Sequence, residues 1–91
     1  MPVTIHLPNV LARLTDGSRS VPAEGRTVGE VVDRIAARYP GLGERLRDPE
    51  GHLYQFVTIY LNDEDIRLAQ GFETPVAEGD ELTVVPAVAG G

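Results

Sequence analysis

One stretch of this chain sustains a helical stripe, and it stands between segments that alternate like strands. Val28, Val31, Val32, Ile35, Ala36 and Tyr39 recur at three- and four-residue spacing, which places them on one apolar face. Thr27-Val28-Gly29-Glu30 marks the start as a capping box, in which the threonine oxygen and the glutamate each satisfy an orphan backbone donor. Pro40-Gly41 stops the helix, with a short further turn expected over Leu42 to Arg47. A single helix covers one face of one sheet, so the spacing predicts a two-layer α+β domain.

The strands that complete it are marked by alternation and by turn residues. Val3-Thr4-Ile5-His6-Leu7 alternates apolar and polar, and Pro8 ends its ladder. Thr15-Asp16-Gly17-Ser18 is a turn, after which Ser18 to Val21 returns as a second strand, giving a hairpin with a long connection. Asp48-Pro49-Glu50-Gly51 is a loop. Tyr54 to Leu61 is rich in β-branched and aromatic residues and reads as the strongest strand. Asn62 to Asp65 turns the chain, Ile66 to Leu68 forms a short edge strand, Ala77-Glu78-Gly79-Asp80 is a tight turn, and Glu81 to Val85 is the last strand, closed by Pro86. The expected order is β-β-α-β-β-β.

Alternation also assigns the faces. Val3, Ile5, Leu7, Val57, Ile59, Leu61, Leu82 and Val84 point toward the helix. His6, Phe56, Thr58, Tyr60, Thr83 and Val85 then fall on the open face. Phe56, Tyr60 and Val85 make that face more apolar than water requires. It reads either as a docking surface or as the ordinary scatter of exposed apolar residues.

Composition narrows the function classes. With 91 residues the chain is one domain with one modest core. There is no cysteine, which excludes a disulfide scaffold, a thiolate nucleophile and a cysteine-built zinc site, and fits a reducing cytoplasm. No signal peptide and no membrane span are legible. The net charge is −6 and all eight cations are arginine. An acidic chain without a basic patch is a poor nucleic-acid binder, since phosphate neutralisation supplies most of that affinity, and it suits a partner with a basic surface. Without lysine, the protein offers no side-chain amine on which to build isopeptide chains of itself.

Beyond Val85 the sequence has Pro86-Ala87-Val88-Ala89-Gly90-Gly91, which predicts a domain over 1–85 and a mobile tail over 86–91. Extended, these six residues reach about 20 Å. Glycine lacks Cβ, so its backbone fits a narrow channel and its carboxylate is open to approach. Pro86 stiffens the exit from the sheet. The bland alternative is a frayed end that happens to finish in two glycines. The functional reading is a thin arm carrying a carboxylate into another protein's active site, where it must be activated before it can react.

From Val76 to Gly91, the glycine-aspartate turn, strand, proline and Gly-Gly ending resemble the C-terminal signature of the ThiS/MoaD family of ubiquitin-like, β-grasp sulfur carriers. The element order extends the resemblance over essentially the whole chain. Tyr60 to Ile66 and the tail are most similar to family members that supply sulfur to a dedicated cysteine synthase. The resemblance implies that an E1-like adenylyltransferase and sulfurtransferase converts the Gly91 carboxylate to an acyl-adenylate using ATP, and that a sulfur donor then replaces AMP to leave a thiocarboxylate. It further implies a CysM-like cysteine synthase using pyridoxal phosphate, and a metallopeptidase that releases cysteine and regenerates Gly-Gly. ATP, pyridoxal phosphate and metal all belong to partners. The chain itself binds no cofactor, is no enzyme, and is expected to be monomeric when free. By the same resemblance, Gly91 carries the sulfur, Gly90, Ala89, Val88, Ala87 and Pro86 thread into partner sites, and Val85, Phe56, Tyr60, Asp65 and Ile66 form the docking face. The destination of the sulfur stays open: cysteine leads, and the small subunit of molybdopterin synthase, acting with its large subunit, is the main alternative. Thiamine thiazole synthesis and a ubiquitin-like protein modifier also remain, as does an interaction module with an inert tail.

Rival chemistry finds less support. His6 and His52 lie in separate segments without further ligands at metal-binding spacing. Ser18 or Ser20 with a histidine lacks a nucleophile-elbow motif. Asn62-Asp63-Glu64-Asp65 lacks the ligand alternation of a calcium loop, and Gly41 and Gly43 form no phosphate cradle.

Overall fold

The helix predicted from Thr27 is present, and its cap differs in one detail. The structure, a computed structural model, describes residues 2–86. Thr27 Oγ1 accepts the Glu30 amide at 3.2 Å, while Glu30 Oε1 accepts the amide of Arg26 at 3.0 Å, one residue before the cap. Counting helices in chain order, this is α2, Val28–Arg38, with Val28, Val31, Val32 and Ile35 buried. Tyr39 leaves helical geometry because the residue before a proline is crowded out of the α region. Pro40 then opens a new helix, α3, Pro40–Leu46, instead of ending helical structure.

Five strands form one mixed sheet in the order β2-β1-β5-β3-β4. They are β1 Val3–His6, β2 Ser20–Ala23, β3 Val57–Leu61, β4 Glu64–Asp65 and β5 Glu81–Pro86. β1 and β5 run parallel, and the other pairs are antiparallel. β5 is therefore the central strand, and α2 covers one face. The strand-facing assignment holds for Val3, Ile5, Leu7, Val57, Ile59, Leu82 and Val84, all buried, while Leu61 is only partly covered. This is the α+β class that the spacing predicts, in the β-grasp arrangement that the family resemblance implies.

Five expectations need correction. The second strand runs Ser20–Ala23, not Ser18 to Val21. The long β1–β2 connection, where the sequence assigned no element, contains α1, Asn9–Ala12, and a 3-10 turn over Arg13–Thr15. One turn of helix has little stability of its own; here the burial of Leu11 and Ala12 holds it. β3 begins at Val57, not Tyr54, because the Val57 amide donates to the Tyr54 carbonyl at 3.1 Å and closes a turn there. The edge strand is Glu64–Asp65. Ile66–Leu68 is instead a 3-10 turn, capped by Asp65 Oδ1 accepting the Arg67 amide at 2.9 Å, and it carries Ile66 into the core. Finally, β5 runs one residue further than expected, with Pro86 opposite Val57.

Candidate functional site

Because β5 lies at the centre of the sheet, its C-terminal end brings the chain out between β1 and β3. The register aligns a row across all five strands of the open face: Ser20, His6, Thr83, Tyr60 and Asp65. Nearer the exit, Val85 stands opposite Thr58, and Pro86 opposite Val57.

The residues expected to form a docking face divide in the structure. Val85 is 46% exposed and Phe56 54% exposed. Phe56 precedes β3 and stacks on Tyr54 with ring centroids 4.9 Å apart, so it stands beside the point where the chain leaves the sheet. Tyr60 and Asp65 are half-buried and face one another across β3 and β4. Ile66 does not belong with them. It is 1% exposed and packs in the core, so it offers no surface to a partner. Pro86 is half-buried at the end of β5. The expected carrier and threading positions Gly91, Gly90, Ala89, Val88 and Ala87 lie outside the described residues.

One part of this region was not legible as a site in the sequence. α1 places Val10, 53% exposed, beside the exit, where His6, Pro8, Val10, Thr83, Val85 and Pro86 line a shallow groove of about 380 Å³. The signal was the spacing of Leu11 and Leu14, which reads as helix only once their burial against the fold is known. The groove lining carries no carboxylate. Residues 62–81, by contrast, hold half of the chain's Asp and Glu with one arginine, Arg67, which gathers the excess negative charge around β4 and the turn before β5.

The structure does bring Ser20, His6 and a carboxylate together. His6 Nε2 lies 2.5 Å from Glu81 Oε1, and Ser20 Oγ lies 3.2 Å from His6 Nδ1. The three side chains come from three adjacent strands of an open sheet face, with no strand-to-helix elbow to project the serine. Their arrangement is that of cross-strand polar pairing. Ser18 is not part of it. His52 is in the separate loop after α3, 4.0 Å from Asp48. Among the described residues, no three His, Asp or Glu side chains are grouped to hold a metal ion. Asn62-Asp63 forms the predicted turn: Asn62 adopts φ 55°, and its Oδ1 accepts the Glu81 amide at 3.1 Å. Among the described residues, no helix is long and apolar enough to cross a membrane.

The molecule's other face is built differently. Arg47 Nη1 meets Asp33 Oδ1 at 2.5 Å, and its guanidinium carbon lies 4.1 Å from the centroid of the Phe72 ring. These contacts fasten the end of α3 to α2 and to the 3-10 turn Gly71–Glu73. They hold the fold, while Arg47 Nε is buried without a hydrogen-bond partner.

Comparison with known proteins accords with this geometry. The model of the ThiS family matches residues 5–91. The sulfur carrier protein CysO of Mycobacterium tuberculosis is 48% identical over 93 aligned positions, spanning 100% of both chains. Its crystal structure matches with a TM-score of 0.88 at 46% identity, over 94% of this chain and 99% of that one. A chain in the crystal structure of the Amycolatopsis orientalis BexX/CysO complex matches with a TM-score of 0.90 at 45% identity, over 98% of this chain and 99% of its own length. Small archaeal modifier protein 1 of Haloferax volcanii is 33% identical over 78 residues, covering 82% of this chain and 85% of that protein.

Proposed function

The chain belongs to the ThiS family, and from that premise we propose that it is a sulfur carrier whose cargo site is the Gly91 carboxylate. One observation carries the reading: the similarity to CysO spans the whole chain at 48% identity. The family match also runs through Gly91.

The chemistry follows from the group. A carboxylate is a poor electrophile, so its oxygen first attacks the α-phosphate of ATP and pyrophosphate departs. A sulfur nucleophile then adds to the acyl carbon and AMP leaves, so that hydrosulfide yields a thiocarboxylate directly. The E1-like partner supplies the ATP site, and this chain supplies the terminus and the surface that presents it. The lead destination is cysteine, through a pyridoxal phosphate-dependent cysteine synthase and a metallopeptidase, because a relative 48% identical over the full length is CysO. ATP, pyridoxal phosphate and metal are held by those partners, and the cycle belongs in the cytoplasm beside them. The BexX/CysO complex supports the reading that a carrier of this shape works docked on a second protein.

A second reading rests on the similarity to Small archaeal modifier protein 1: the same activated end is passed to a lysine of a target. Intact-mass measurement decides between them. Incubated with an E1-like enzyme, ATP and sulfide, the carrier exchanges one terminal oxygen for sulfur, and a variant lacking Gly91 does not. An unchanged mass in a competent reaction sinks the carrier reading. Gly-Gly remnants on target lysines in cell extracts favour the modifier.

A further inference from the structure

Val10 is exposed on a helix whose next two residues, Leu11 and Ala12, are buried. The Pro8 carbonyl accepts the amides of Leu11 and Ala12 at 3.0 Å each, which fixes this single turn. The outward direction of Val10 is thus imposed by the fold. The core makes no use of the side chain, and a polar residue there satisfies the fold equally well.

The groove that Val10 lines also includes Pro8, Val85 and Pro86. Pro86 is five positions before Gly91. Five extended residues span at most about 18 Å, so any enzyme that reacts at Gly91 brings its surface within that distance of Pro86. The groove lies on that approach. Its lining is mostly apolar, with His6 and Thr83 as its polar members, and contains no carboxylate, although Glu81 contacts His6.

We propose that this groove receives an apolar side chain of the enzyme that adenylates Gly91, which makes Val10 a specificity-determining contact for charging. The inference rests on the carrier reading above and adds to the sheet face a contact from α1, Val10, at the edge where His6 and Thr83 also line the groove. A valine held outward next to Val85 offers an apolar side chain that a partner can bury fully, and binding energy concentrates at such desolvated anchors.

The test is ATP–pyrophosphate exchange by an E1-like adenylating enzyme, with carrier concentration varied. Val10→Asp raises the KM for the carrier by about tenfold, Val10→Ser raises it less, and kcat and thermal midpoint stay unchanged in both. Leu68→Asp is the control, since Leu68 is 82% exposed and lies outside the groove; it leaves KM unchanged. An unchanged KM in both Val10 variants, or an equal rise in Leu68→Asp, overturns the proposal while the carrier reading stands. Absence of Gly91-dependent exchange with the wild-type chain overturns the carrier reading, and the partner named here with it. A wild-type dimer in sedimentation that Val10→Asp dissolves assigns the groove to a second copy, which also overturns the proposal.

Discussion

A Cβ on Gly43 would stand 2.6 Å from the Cβ of Ala36, closer than two carbon atoms approach without displacement. This contact lets α3 lie against α2, and it makes the missing side chain of Gly43 part of the packing. In an open helix, Gly→Ala stabilises by about 1 kcal/mol. Here the clash reverses the sign. Gly43→Ala is expected to destabilise by about 1–3 kcal/mol, read as a lowered midpoint in thermal or urea unfolding. A rise in stability contradicts the close approach.

Thr27 gives a second stability prediction. Its hydroxyl oxygen accepts the Glu30 amide at the start of α2. Thr27→Ala removes that acceptor and costs about 1 kcal/mol; Thr27→Ser retains it and restores most of the loss. Urea midpoints of the three proteins decide this, and equal stability of the alanine and serine variants rules the cap out.

For Ile66 the expected outcome separates core from surface. Ile66→Ala creates a cavity under the 3-10 turn and costs about 2–4 kcal/mol. Charging of Gly91, measured well below the lowered midpoint, proceeds with an unchanged KM. A raised KM there returns Ile66 to the docking surface despite its burial.

The His6–Glu81 contact is expected to matter little for stability. Both side chains are substantially exposed, at 37% and 61%, and such pairs contribute at most about 1 kcal/mol. Glu81→Gln keeps the shape and removes the charge, so its unfolding midpoint stays close to wild type, and a large loss in added salt-free buffer argues against a merely cross-strand role.

Much of this fold was legible because its signals are local. The Thr27 cap and the α2 stripe depend on residues within a few positions of one another. The alternation in β1, β3 and β5 placed their buried side chains correctly for the same reason. The misread elements depend on distant partners. β3 looks like a strand from Tyr54 onward by propensity, yet its ladder begins at Val57, opposite Pro86 of β5. Ile66 to Leu68 is too short to show any period, so burial of one isoleucine decides its conformation. The site divides likewise: Val85 and Phe56 were visible from alternation, whereas Val10 was hidden in a connection whose helix exists only because Leu11 and Ala12 are buried.

The sequence by itself determined the α+β class, the start and apolar face of the helix, the inward faces of the main strands, the arginine-only cations and the Gly-Gly ending. The tertiary structure alone decided the strand order, with β5 central and parallel to β1. It thereby set Val85 between Thr58 on one side and the Val10 groove on the other. The physical reason is range. Periodicity and capping are fixed by the covalent spacing of neighbours, but pairing β1 with β5 joins residues more than seventy positions apart. That pairing is selected by shared burial of Ile5, Leu82, Ile59 and their neighbours against α2, a property of the assembled core and of no single segment.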